Sequence, residues 1–180
     1  MKIKRFSLLA GLATLATVGS VYATWDYITG GNITGDDATL GVTITEKTES
    51  TGVAGNVEIT SIPTLSIDHT GDYVPTLSIV GDIKVDYTPA VGSQVNAVTC
   101  TITVDWTEGT TDAYKALFNF TKIEESFPAG ETFTVANSTL VTNISLVSTV
   151  LASPAEYDVY AATLATPSCG FTVTATAVAA

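Results

Sequence analysis

The sequence predicts an all-β fold, an antiparallel β-sandwich carrying two short helices. Three features of its 180 residues point there: apolar side chains alternate with Thr and other polar residues over most of the chain, Gly, Pro, Asn and Asp cut the alternating runs, and just two stretches shift to helical spacing. Alternation at period two buries one face of a strand and wets the other. Thr suits the outward positions because its branched carbon fits a pleated backbone while its hydroxyl faces water. Short strands with frequent turn signals close as two facing sheets.

The chain opens on Lys2, Lys4 and Arg5, continues with the apolar stretch 6–18, and reaches Val21-Tyr22-Ala23, with small residues where a signal peptidase reads. This is the pattern of a secretory signal, residues 1–23, cut after Ala23. The apolar run falls short of the ~20 residues of a spanning helix. Three of the seven basic residues leave with the signal, so the remaining 157 residues carry four bases against 18 acids, a net charge of −14. Such a chain is expected to be secreted, extracellular or at the cell surface, and its charge argues against nucleic acid or anionic membrane as partners. Its length suits one domain with a proper core.

Residues 24–35, "TWDYITGGNITG", read as an N-terminal strand and linker, with Trp25 and Tyr27 on one side, Ile28 and Ile33 as further apolar contacts, and Gly30-Gly31 as a hinge. Residues 36–180 form the sandwich domain. In "TLGVTITE" Leu40, Val42 and Ile44 share the inward parity, and "NVEIT" follows as a further strand. In "TLSIVGDIKVDY" Leu77, Ile79, Ile83, Val85 and Tyr87 share a parity, with Gly81 marking a bend or bulge. In "AVTCTITVDW" Val98, Cys100, Ile102, Val104 and Trp106 point inward. Three more segments, "ETFTVAN", "TLVTNISLVSTV" and "CGFTVTATAVA", also read as strands, the last with Cys169, Phe171 and Val173 inward. An even cysteine count in a secreted chain predicts a Cys100–Cys169 disulfide, worth up to ~4 kcal/mol for so long a loop.

Two segments have helical spacing. "TDAYKALFNF" sets Ala113, Ala116, Leu117 and Phe120 on one stripe. "SPAEYDVYAATLATP" begins with Ser153 as N-cap, Pro154 in the first helical position and Glu156 three residues after the cap, then places Tyr157, Tyr160, Ala161 and Leu164 on one face. Both stripes are read as core packing.

Candidates for chemistry are few. Catalytic zinc calls for converging His or carboxylate ligands, and this chain has one histidine, His69, in the turn-like "SIDHTGDY". No G-x-S-x-G elbow is present. The acidic pairs Asp36-Asp37 and Glu124-Glu125 lack the ligand spacing of a calcium loop and read as solvated surface. No enzyme, cofactor or metal is expected. Asn-x-Ser/Thr triplets begin at Asn32, Asn119, Asn137 and Asn143, but Thr-rich sequence generates them by chance, so they support no glycosylation site.

The basic start, the Gly- and Ala-rich apolar segment and the aromatic, acidic opening "VYATWDY" resemble the TasA and camelysin group of secreted proteins. The match of motif covers about residues 1–28; beyond it the likeness is one of size and of Thr- and Val-rich strands. Members commonly show Phe-Ser-Asp or a similar triplet after the cut, where this chain has Trp25-Asp26-Tyr27. The resemblance implies a jelly-roll domain and, for the TasA branch, subunits of matrix fibres or pili in which the N-terminal strand of one subunit completes the sheet of the next. Main-chain hydrogen bonds and alternate side chains drive such an addition, and Trp25, Tyr27, Ile28 and Ile33 would be its interface. The partner expected is the chain itself in a head-to-tail homopolymer, with a minor anchoring or capping subunit as a further candidate. A carbohydrate-binding sandwich using Trp25 and Trp106 is the alternative, and a camelysin-like protease built on His69 the third reading.

Overall fold

Period-two runs that change sheet at a proline or glycine corner organise this molecule. The computed structural model describes residues 25–27, 33–35, 38–52, 55–69, 74–92, 98–128, 132–151 and 153–179. Strand β1 (Trp25–Tyr27) pairs with β2 (Ile33–Gly35) in a ribbon of two. Strand β3 (Ala38–Gly41) runs into β4 (Ile44–Thr51), yet the two belong to different sheets.

Next, β5 (Gly55–Ser61) and β6 (Thr64–His69) descend one side of a long ribbon, and β7 (Thr76–Val80) and β8 (Ile83–Pro89) return along the other. The β6–β7 half pairs in one sheet, with β3 on its far edge, while the β5–β8 half lies in another. The corner falls at Ile62-Pro63 on one arm and Gly81-Asp82 on the other. Gly81 has φ +98, which a side chain rarely adopts, although a Cβ there would meet only Pro63 Cα at 3.7 Å. Conformation, then, is what requires glycine at this bend. A register shift between Ile59 and Ser61 adds twist just before the corner.

The largest sheet has the order β11 (Ile123–Pro128), β9 (Val98–Trp106), β14 (Phe171–Ala179), β4. Its β9–β14 and β9–β11 ladders are antiparallel, but β14 runs parallel to β4 from Phe171↔Ile44 to Val178↔Thr51. Among the described residues pairing is therefore antiparallel except in this ladder, which the reading of an antiparallel sandwich did not include. Strand β12 (Phe133–Val135) joins β8 to complete the β12-β8-β5 sheet. Alternate residues of the two sheets, among them Ile102, Val104, Phe171 and Val173 on one and Val57, Ile83, Val85 and Val135 on the other, are buried in one core. The protein is thus predominantly β and sandwich-like, as the alternation predicts.

Helix α1 (Asp112–Lys115) is a single turn, capped by the Thr111 hydroxyl, which accepts from Tyr114 N at 3.3 Å. The expected longer helix stops there because residues Phe118–Phe120 form β10, paired with β13 (Ile144–Leu146). The inward side chains are Tyr114 and Phe118, while Ala113 and Ala116 are exposed. Trp106 stacks on Phe171 at 4.6 Å between ring centres and meets Phe118, Phe120 and Tyr114 edge-on. This cluster, not a longer helix, gives Phe120 its packing.

Residues Asn137–Asn143 form α2, where the sequence reads as strand. Helix α3 (Pro154–Leu164) matches the expected capping: Ser153 Oγ accepts from Glu156 N at 3.3 Å, and Tyr157, Tyr160 and Leu164 are buried.

Candidate assembly groove

Strand addition needs an open sheet edge beside an apolar groove. The edges here differ in charge. Strand β4 is exposed along both faces after Ile44 and carries Glu46, Lys47 and Glu49, with Lys47 paired to Glu49 at 2.7 Å. Strand β11 carries Glu124 and Glu125 and ends at Pro128. Charges and proline at these positions oppose a further strand. Strand β7, "TLSIV", has no charge, and neither has β13, "ISL".

These two uncharged strands flank one groove. β7 bonds to β6, and β13 bonds to β10, so each has its second edge without a strand partner among the described residues. Their Cα atoms come within 8 Å. Between them lies a groove of about 310 Å³, lined by Val74, Leu77, Ile79, Val141, Ile144 and Leu146 together with small hydroxylic residues. That volume sits at the low end of pockets that hold organic ligands, so it accepts a side chain or two. Two neighbours of an inserted strand stand roughly 9.6 Å apart, twice the ladder spacing. Full insertion therefore requires β13 to move slightly away from β7.

Local chemistry positions both walls. The Asn137 backbone N–H donates to Asp82 Oδ1 at 2.8 Å, and the Asn137 amide donates to the carbonyls of Ile79 and Gly81 at 2.8 and 3.3 Å. One residue thus ties the start of α2 to the end of β7 and to the ribbon corner. Helix α2 then leads directly into β13, and Asn143 Nδ2 donates to Thr139 O at 2.8 Å near its end.

The expected interface residues fall as follows. Trp25 is registered with Gly35 and Tyr27 with Ile33. The N-terminal strand therefore neither enters another sheet nor stands alone: it pairs with β2, within the segment read as strand and linker. Ile28, Gly30 and Gly31 lie outside the described residues.

The disulfide expectation is corrected. Cys100 and Cys169 are both buried, as their parity predicts, and both are free thiols. Cys100 is registered opposite Ala177, whereas Cys169 precedes Phe171, whose partner on β9 is Trp106. From Cys169 to Ala177 the chain covers roughly 26 Å at about 3.3 Å per residue, and a disulfide needs Cα atoms within about 7 Å. Burial pushes the Cys100 thiol up from its ordinary pKa.

Other sequence candidates do not converge. Glu124 is exposed and pairs with Lys122 at 3.0 Å, while Glu125, one residue on, takes the opposite side of the strand. His69 ends β6, opposite Ala38. Asp36 and Asp37 lie outside the described residues. Among the described residues no three His, Cys, Asp or Glu side chains are grouped to hold a metal ion. Trp106, offered for carbohydrate stacking, is occupied by its aromatic neighbours. The β7–β13 groove itself escaped the sequence reading, because α2 was read as strand. Comparison with family models, with curated proteins and with solved structures finds no match to this chain.

Proposed function

We propose that this chain is a secreted structural subunit that polymerises into extracellular fibres or pili by donating its N-terminal strand to the next copy. One observation carries the reading: two strand edges without a strand partner among the described residues, both free of charge, border an apolar groove on an acidic protein. A donated strand gains main-chain hydrogen bonds at those edges and fills the groove with alternate side chains. Residues 24–35 carry a single charge, Asp26, and so meet little electrostatic opposition there. Because β1 is paired with β2 in the single chain, donation in trans begins with the opening of a three-residue ladder. Head-to-tail addition then leaves unfilled grooves only at fibre ends.

Negative-stain electron microscopy of the purified protein lacking residues 1–23 tests the reading. Fibres are expected, and a synthetic peptide of residues 24–34 is expected to stop their growth by occupying the groove. A protein that stays monomeric at high concentration, or fibres that form normally without residues 24–29, would overturn it.

A further inference from the structure

The largest sheet, β11-β9-β14-β4, buries one face in the core and turns the other outward. Its ladder registers fix what the outer face carries. The two middle strands set Thr103 opposite Thr174 and Thr101 opposite Thr176, with Asp105 opposite Thr172 at one end and Thr99 opposite Val178 at the other. The border strands continue these rows: Lys47 on β4 flanks Thr174 and Glu124 on β11 flanks Thr103, while Glu49 and Ser126 flank the next row. Thr101, Thr103, Thr174 and Thr176 are half-buried among their neighbours, and Thr99, Lys47 and Glu124 are exposed.

Three properties suit this face to being covered. Its hydroxyls are engaged locally: Thr101 Oγ1 lies 2.9 Å from Ser126 Oγ, Thr172 Oγ1 lies 2.9 Å from Thr107 Oγ1, and Thr176 Oγ1 donates to Thr101 O at 3.4 Å. Polar groups that keep a partner cost less when water leaves. Its middle strands carry one charge, Asp105, at the end of the face, whose Oδ1 accepts from Trp106 N at 2.7 Å. In the other sheet the middle strand β8 carries Lys84 and Asp86, and Asp86 stands opposite Glu58. A centre depleted of charge within a charged rim is the anatomy of a protein interface. Finally, four strands about 4.8 Å apart and eight residues rising about 3.3 Å each span roughly 19 by 26 Å, or about 1,000 Å² over two copies, where specific interfaces begin.

The rim is self-complementary. One border carries Lys47 paired with Glu49 at 2.7 Å, the other Lys122 paired with Glu124 at 3.0 Å. A two-fold axis parallel to the strands lays β4 of one copy over β11 of a second. Lys47 then meets Glu124 of the second copy, twice by symmetry, and Thr174 and Thr176 meet Thr103 and Thr101. Glu49 falls over Ser126 and Asp105 over Thr172, so no like charges stand directly opposed. Stacked sheets lie about 10 Å apart, a gap that extended Lys and Glu side chains bridge. Glu49 and then Glu108 hold the Lys47 ammonium above its ordinary pKa, so it enters the contact charged.

We propose that this threonine face is a lateral self-association surface, on which a second copy of the chain seats the same face with β4 over β11. The contact uses a different sheet from the β7–β13 groove and does not rest on strand donation.

The test uses the protein lacking residues 1–23 and carrying W25S and Y27S, so that strand donation is disabled and its failure is not mistaken for failure here. Sedimentation velocity across a concentration series is expected to show a reversible dimer. T103E forces an unpaired carboxylate into the middle of the contact and should abolish it. Circular dichroism checks that T103E folds, and T99E, at an exposed position of the same face, repeats the measurement. K47E and E124K should each weaken the dimer roughly tenfold, because each reversal acts twice across the axis, and the double variant K47E/E124K should restore it. Within one copy Lys47 and Glu124 stand three strand spacings apart, about 14 Å, so such a rescue arises only between copies. A monomer at all concentrations, a dimer indifferent to T103E and T99E, or single reversals that the double variant does not rescue would overturn the proposal.

Discussion

Replacing Gly170 with Ala isolates a steric requirement at the start of β14. Gly170 has φ +149, and a Cβ built there falls within contact of the Thr43 carbonyl oxygen, 3.1 Å from its carbonyl carbon and 3.2 Å from Thr43 Cβ. The obstacle is mainly backbone, so no side-chain rotation relieves it. The same spot holds two ladder-starting bonds: Phe171 N donates to Thr43 O at 3.1 Å, and Thr107 N donates to Gly170 O at 2.9 Å. The unfavourable φ costs about 1–3 kcal/mol, and losing one buried hydrogen bond adds about 1 kcal/mol. A total near 3 kcal/mol lowers the melting temperature of a domain this size by roughly 6–12 °C. Gly109 provides the control, because its φ is +84 yet nothing lies within 4 Å of a Cβ there. G109A should therefore cost only the conformational part, about 1 kcal/mol. Thermal unfolding of the two variants side by side is the assay. A G170A protein no less stable than G109A would refute the steric argument.

Changing both Trp25 and Tyr27 to Ser should abolish fibres in electron micrographs while leaving the melting temperature within about 1 °C, since among the described residues β1 pairs only with β2. N137A removes the amide that holds Ile79 O and Gly81 O, and should cost about 1–2 kcal/mol in denaturant unfolding. Thiol titration should find two reactive cysteines per chain after unfolding and almost none before, because both are buried and free. Burial pushes the Tyr114 hydroxyl up to about 12, so above about pH 10 the unfolded chain ionises this residue while the folded chain does not. Stability should be indifferent to Tyr114 below pH 10 and fall between pH 10 and 12; Y114F should flatten that fall.

The strands were legible wherever one face is buried and the other wet. Val98, Cys100, Ile102 and Val104 alternate cleanly with Thr in both sequence and burial. Helix α3 announced itself through Ser153, Pro154 and its tyrosine stripe, all local signals. Helix α2 did not, because its β-branched residues read as strand and Ala136, its N-cap, offers no side-chain acceptor. Its capping comes instead from the Asp82 carboxylate, far away in sequence. The cysteines show another limit of pattern reading. Parity reports which face of a strand a residue occupies but not how far along the ladder it sits, so Cys100 and Cys169 were placed inside correctly and paired wrongly. The β7–β13 groove depends on α2 and on pairings between distant segments, so no local window contained it.

Strand β14 lies between β9 and β4, with partners on both sides, although long stretches of sequence separate it from both. Without it β9 lacks its second neighbour and, among the described residues, β4 has no ladder. The sandwich therefore closes only when residues 171–179 dock, and the loop-closure entropy of the long connections back to β4 and β9 must be met before that strand can contribute. A chain cut short before Phe171 leaves its largest sheet divided. Closure of the core is in this way tied to one long-range docking event: with β14 undocked the two neighbouring strands stay apart, and its docking joins them in one step.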